Sequence, residues 1–132
     1  MNTKKSLNAV KNEVVEILRN MPYGFAVLQA TRESGRSFLN FEQVHGNVLL
    51  DDYKNVFSAE FETDYVKELK DNVIKVLDDM YYWFNVGERP AEYKGHSASV
   101  SDIFAIKNDT DISFYFIDSV GFKKLDEETV VL

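Results

Sequence analysis

The chain has 132 residues, which is the size of a single domain. Apolar residues make up 45% of it and charged residues 28%, proportions typical of a globular protein that buries a core. There is no cysteine, so the composition excludes disulfides, thiolate chemistry and zinc sites that need cysteine ligands.

The charge is acidic and unevenly distributed. The formal net charge is −7, yet residues 1–36 carry six basic and three acidic side chains, so the remainder carries −10. An acidic body repels phosphate at most faces, and we therefore expect no direct contact with nucleic acid. An acidic body favours solubility, a basic protein partner, or mimicry of nucleic acid in the nucleic-acid groove of a partner.

The first helix is predicted over residues 6–20, where apolar residues recur at spacings of three and four. Ser6 is the expected N-cap, and Pro22 ends the helix. The apolar stripe either docks on its own domain or forms the seam of a homodimer. Its residues are Leu7, Val10, Val14, Ile17, Leu18 and Met21.

The residues before this stripe bear on the location of the protein. Lys4 and Lys5 are followed by no continuous apolar run, because charged residues interrupt the segment from 7 to 18. We therefore expect neither a signal peptide nor a membrane span, and the cytoplasm of the host cell is the expected location.

Strands are predicted over residues 23–29 and 53–61 from their alternating side chains. Between them, residues 38–44 form either a further strand or an irregular segment. The polar segment 30–37 brings Arg32, Arg36 and Gly35 together, which is typical of a solvated hairpin tip. The alternative is a loop that contacts a phosphate or a carboxylate.

A long central helix is predicted over residues 64–85, capped by Thr63 or Asp64. Its C-terminal end is unusual, because residues 80–84 are bulky on every side. Four consecutive rings cannot all face one core. This end either lies in a crevice between elements or presents rings that anchor a partner.

The C-terminal third predicts a β-hairpin. Residues 103–106 are apolar without interruption, as in a strand covered on both faces, and 112–117 form its partner after a polar turn. Gly121 indicates a positive φ. We expect an α+β fold in a single domain over 1–132, with a small mixed or antiparallel sheet and helices on one face.

Candidate chemical groups are sparse. His45 and His96 lack metal-ligand spacing, so a metal site would need carboxylates such as Asp51, Asp102 or Asp118. Residues 96–102 contain His, Ser and Asp but no nucleophile elbow, and these Ser and Asp side chains are expected to fix the entry to a strand. There is no phosphate-binding loop, dinucleotide fingerprint or calcium loop, so no cofactor is expected.

Three motifs together resemble the YodL-like domain, which recurs in proteins of phages, plasmids and conjugative elements of Firmicutes. They are Gly95-His96-Ser97-x-Ser99-Val100-Ser101-Asp102-Ile103, Tyr115-x-x-Asp118-Ser119-x-Gly121-Phe122 and Phe84-Asn85-x-x-x-Arg89-Pro90-Ala91-x-Tyr93-Lys94-Gly95. The resemblance covers residues 23–125, with 6–20 as a helical addition. It implies an α+β domain and an origin in a mobile element, and it supplies no catalytic residue.

The functional expectation is a non-enzymatic protein-binding protein of a phage or mobile element. Its specific form is an inhibitor of a host defence nuclease, of anti-CRISPR or anti-restriction type, which occludes a basic nucleic-acid groove. The alternatives are an assembly module that self-associates through 6–20 and a small metal-dependent hydrolase using His96, Asp102 and Asp118. The predicted partner-binding residues are Asp51, Asp52, Glu60, Glu62, Asp78, Asp79, Tyr81, Tyr82 and Trp83.

Overall fold

The computed structural model describes residues 9–132, and an antiparallel sheet forms the middle of this part of the chain. Its strands are β1 (Tyr23–Ala30), β2 (Tyr53–Glu60), β3 (Ile103–Asn108), β4 (Asp111–Ile117), β5 (Phe122–Lys124) and β6 (Val130–Val131). The order is β2-β1-β3-β4-β5, and β6 pairs with the same edge of β4 as β5 does. The α+β class and the hairpin of β3 and β4 are confirmed.

The two central strands explain why the chain needs helices on both faces of the sheet. Residues 24–30 and 103–107 are all buried. Successive side chains of a strand point to opposite faces. Phe25 and Val27 therefore belong to one apolar cluster, and Ala26 and Leu28 belong to another.

Three helices cover these two clusters. Helix α1 (Ala9–Leu18) packs on the face of Ala26 and Leu28. Helices α2 (Val66–Asp71) and α3 (Val73–Asn85) cover the opposite face. The expectation of helices on one face was therefore wrong, because a strand that is apolar at every position must be covered twice.

The apolar stripe of α1 docks on its own sheet. Val10, Val14 and Leu18 are buried there at 7% exposure or less. The predicted Ser6 cap and Leu7 lie outside the described residues. A homodimer seam made from the same stripe would require α1 to leave the sheet.

The central helix is interrupted, which the sequence pattern did not predict. Asn72 has φ −155° and ψ 82°, so α2 ends there and α3 begins at the next residue. The Asn72 side chain accepts a hydrogen bond from the Lys75 N–H, and this bond caps α3. A 3₁₀ turn over Thr63–Tyr65 precedes α2.

The segment between β1 and β2 contains no strand, so the irregular alternative applies to residues 38–44. Phe38 and His45 have φ values of 67° and 57°. Short 3₁₀ turns at Arg32–Ser34 and Leu50–Asp52 complete the connection. Among residues 9–132, no helix has the length and apolar character needed to cross a membrane.

Candidate functional site

A buried glutamine organises the first of the three motifs. Gln29, on β1, is 1% exposed. Its Nε2 donates to the Asp102 Oδ2 at 3.0 Å and to the His96 carbonyl oxygen at 2.8 Å, and its Oε1 accepts from the His96 N–H at 3.1 Å. Gln29 was not predicted as a site residue, and its one signal in the sequence is a polar residue within an apolar strand.

Asp102 completes this buried cluster. Its Oδ2 also accepts from the Ser99 N–H at 2.9 Å. Burial raises the pKa of Asp102 to about 7, although the hydrogen bonds from Ser99 and Gln29 oppose the shift. The carboxyl therefore holds the turn before β3, as the sequence pattern predicts.

Two further motif residues, Ser101 and Asp118, hold the 38–41 segment in place. The Ser101 Oγ accepts a hydrogen bond from the Phe38 N–H at 2.8 Å, and the Asp118 Oδ1 accepts one from the Phe41 N–H at 3.0 Å. The Tyr53 hydroxyl donates to the Ser101 carbonyl at 2.6 Å. The predicted positive φ of Gly121 is confirmed at 73°.

These contacts bear on the hydrolase alternative. His96 and Asp102 are linked through Gln29, whereas the Asp118 carboxylate binds the backbone of a different loop. His45 lies in the turn over residues 41–46, where its N–H donates to the Glu42 carbonyl oxygen. Within residues 9–132 no three His, Asp or Glu side chains are grouped so that they could hold a metal ion.

A second candidate site is an apolar groove of about 610 Å³ between the edge strand β2 and the C-terminal end of α3. Tyr82 and Trp83 stand at its rim with exposures of 60% and 37%. Its aromatic lining also includes Phe25, Phe57, Phe61, Tyr65 and Phe84. This helix end therefore lies at a crevice, with Phe84 buried and the Tyr82 and Trp83 rings exposed.

The groove wall is a continuous set of aromatic contacts. The Phe84 ring lies 5.7 Å from both Phe25 and Phe57, centroid to centroid, and it anchors α3 in the core. The Trp83 ring lies 5.4 Å from Tyr65. These contacts pack the Phe84 and Trp83 rings against their aromatic neighbours.

Tyr65 is itself held by α3. Its hydroxyl donates to the Asp79 carboxylate, which also pairs with the Lys75 Nζ at 3.0 Å. The hydrogen bond from Tyr65 lowers the pKa of Asp79. Asp79 therefore positions the Tyr65 ring of the groove wall through this hydrogen bond.

Four carboxylates surround the groove, and among residues 9–132 no Lys, Arg or His lines it. All four are exposed, and none forms an ion pair within the part of the chain described. They are Glu60, Glu62, Asp64 and Glu88. A neighbouring depression shares Glu60, Phe61 and Glu62 with the groove and is also lined by Lys67, Lys70 and Asp71.

The structure brings four of the nine predicted partner-binding residues to this groove, namely Glu60, Glu62, Tyr82 and Trp83. Asp51 and Asp52 lie in the 3₁₀ turn before the first residue of β2, and the groove is at the other end of this strand, which spans about 23 Å at the usual rise. They therefore cannot share a small binding site with the groove.

The other three predicted residues lie on α3 outside the groove lining. Asp78 is exposed, Tyr81 is half-buried against the core, and Asp79 is occupied by Tyr65 and Lys75. Asp64 and Glu88 belong to the rim but were not predicted. Glu88 reaches it because the chain folds back tightly at Gly87, where a Cβ would lie 2.9 Å from the Trp83 carbonyl oxygen.

The fold defines an α+β domain in which one antiparallel sheet separates two apolar cores. The family model of the YodL-like domain matches residues 24–127, and the chain belongs to that family. The matched range begins within β1 and leaves α1 outside it. No curated protein and no solved structure matches the chain.

Proposed function

We propose that this protein is a non-enzymatic binding protein whose groove beside β2 holds a basic segment of a partner protein. One observation carries the proposal: within residues 9–132, four carboxylates that form no ion pair surround an aromatic groove that no cation lines. An apolar floor selects an aliphatic or aromatic anchor, and the acidic rim selects lysine or arginine on either side of it.

The geometry favours an extended segment. Strand β2 is the outermost strand of the sheet on this side, and Phe57, Ala59 and Glu60 of that strand line the groove. Extended peptides commonly bind alongside an edge strand and place alternate side chains in adjoining pockets. The partner's apolar side chain would lie between Trp83 and Phe57, with its basic neighbours at the rim.

The narrower form of this proposal is inhibition of a host defence nuclease, of anti-CRISPR or anti-restriction type. Membership of the YodL-like family and the net charge of −7 support it. The groove would withhold a basic segment of the nuclease from its nucleic acid, and the charge would speed the encounter. This form requires that nucleic acid and this protein compete for the nuclease.

A random peptide library displayed on phage tests the binding proposal. Selection on the wild-type protein is expected to enrich peptides in which Lys or Arg flanks an apolar anchor, and Tyr82→Ala with Glu62→Lys is expected to abolish that enrichment. Asp78→Lys is the matched control on the exposed part of α3. Failure to enrich any peptide, or equal enrichment by the groove variant, would refute the proposal.

A further inference from the structure

A separate pocket lies at the other end of β2, between its first residues, the end of β1 and the loop over 32–38. Its volume is about 530 Å³, within the usual range for a small-molecule site. Arg32, Ser37, Phe38, Lys54 and His96 contribute side chains to it. None of the groove residues described above belongs to it.

The side chains that line this pocket are basic, whereas the net charge of the protein is acidic. Arg32 and Lys54 line it, and no carboxylate from the described part of the chain does. Neither cation forms an ion pair within residues 9–132. In a chain of net charge −7, two such cations facing one cavity point to an anionic ligand.

An aromatic ring is held at the same pocket. Phe38 is 59% exposed, and its φ of 67° is a conformation that a bulky residue rarely adopts. The buried Ser101 Oγ holds the Phe38 N–H at 2.8 Å, and the Phe38 ring lies 5.1 Å from the His96 ring. The fold thus maintains strained backbone that places an apolar ring in solvent, a feature that tends to mark functional positions.

We infer that this pocket binds a small nucleotide, with the base against Phe38 and the phosphate between Arg32 and Lys54. An exposed ring provides a stacking surface for a base, and the two cations provide charge-assisted hydrogen bonds to a phosphate. The acidic body disfavours a long polynucleotide, whose further phosphates would meet repulsion beyond the pocket. This role is independent of the groove beside β2.

Calorimetric titration with AMP, adenosine and inorganic phosphate tests the inference. AMP is expected to bind more tightly than either of the other two, because it alone engages both the ring and the cations. Arg32→Glu and Lys54→Glu are each expected to weaken AMP binding about tenfold or more. Lys123→Glu makes the same charge change at an exposed position on β5 and is expected to leave AMP binding unchanged.

The ring has its own test. Phe38→Leu keeps an apolar side chain and is expected to weaken AMP while leaving inorganic phosphate unchanged, with thermal unfolding used to verify the fold. The inference is overturned if AMP does not bind at millimolar concentration, if adenosine binds as well as AMP, or if charge reversal has no effect. A short oligonucleotide that binds more tightly than AMP would also overturn it, in favour of a polymeric ligand.

Discussion

Gly95 lies so close to Gln29 that a Cβ at position 95 would sit 2.0 Å from the Gln29 Oε1. No side chain fits at that distance, and the glycine is therefore required by the glutamine it contacts. The following residue, His96, donates its N–H to the same oxygen. This contact explains why the motif begins with glycine, and it joins the loop before β3 to the buried strand β1.

Replacement of Gly95 by alanine is expected to displace Gln29 and disrupt its hydrogen bonds to His96 and Asp102. Buried polar groups that lose their partners destabilise a protein by about 1–3 kcal/mol each, so we expect a loss of about 2–4 kcal/mol from the free energy of unfolding. Urea denaturation of the purified variant measures it.

A double-mutant cycle separates this clash from a general loss of packing. In a Gln29→Ala background the obstructing amide is gone, and Gly95→Ala is expected to cost much less than in the wild type. Additive losses in the double variant would show that Gln29 is not the group that requires glycine at position 95.

Stability is expected to fall as the pH rises from about 4 to about 7. Burial raises the pKa of Asp102 from 3.8 to about 7, so between these values the folded state holds a proton that the unfolded state has released. The contribution of Asp102 to the free energy of unfolding is complete below its pKa in the unfolded chain. It is lost as the pH rises through its pKa in the folded protein. The expected slope from this group is at most about 1.4 kcal/mol per pH unit.

Asp102→Asn isolates this contribution. The asparagine keeps an oxygen that accepts from the Ser99 N–H but cannot titrate. Urea denaturation at a series of pH values is expected to show a flatter profile for the variant between pH 4 and 7 than for the wild type. Parallel profiles for the two proteins would mean that the Asp102 carboxyl does not titrate in this interval.

Reversal of the groove charges is expected to weaken any peptide selected on the wild type. Glu62→Lys with Glu88→Lys removes two exposed carboxylates from the rim, and we expect affinity to fall at least about tenfold at low salt. The difference is expected to shrink as salt screens the charges. Fluorescence anisotropy of a labelled peptide at several salt concentrations measures both effects.

Asp51→Lys with Asp52→Lys is the matched control, because it reverses two carboxylates at the opposite end of β2. This double variant is expected to change the affinity by less than about threefold at moderate salt, because the distance from Asp51 and Asp52 to the groove exceeds the Debye length. Equal weakening by both pairs would indicate that net charge, rather than the groove, binds the peptide.

The sequence predicts β1 to β4 because their patterns are strong, whereas the short strands β5 and β6 were not predicted. The apolar run of β3 and the alternation in β2 identify both strands, with β2 agreeing within one residue at its end. The break at Asn72 was missed because the apolar stripe continues across it. The apolar run of β3 indicated a strand covered on both faces, but the helices were nevertheless expected on one face, which was wrong.

The groove was predicted in part. Residue type alone led us to predict Glu60, Glu62, Tyr82 and Trp83 as partner-binding residues, and these four line the groove. Their grouping depends on tertiary contacts, since the chain must reverse at Gly87 to bring Glu88 to the rim. Gln29 could not be recognised as the centre of the motif, because its partners lie 67 and 73 residues away in sequence.

Trp83, the one tryptophan of the chain, lies at the rim of the groove and reports its occupancy directly. The decisive measurement is its fluorescence emission during titration with a peptide selected on the wild type. We predict a saturable shift to shorter wavelength as the peptide covers the ring, and the loss of this shift in the Glu62→Lys, Glu88→Lys variant. A peptide that binds tightly while the Trp83 emission stays unchanged would contradict the assignment of this groove as the binding site.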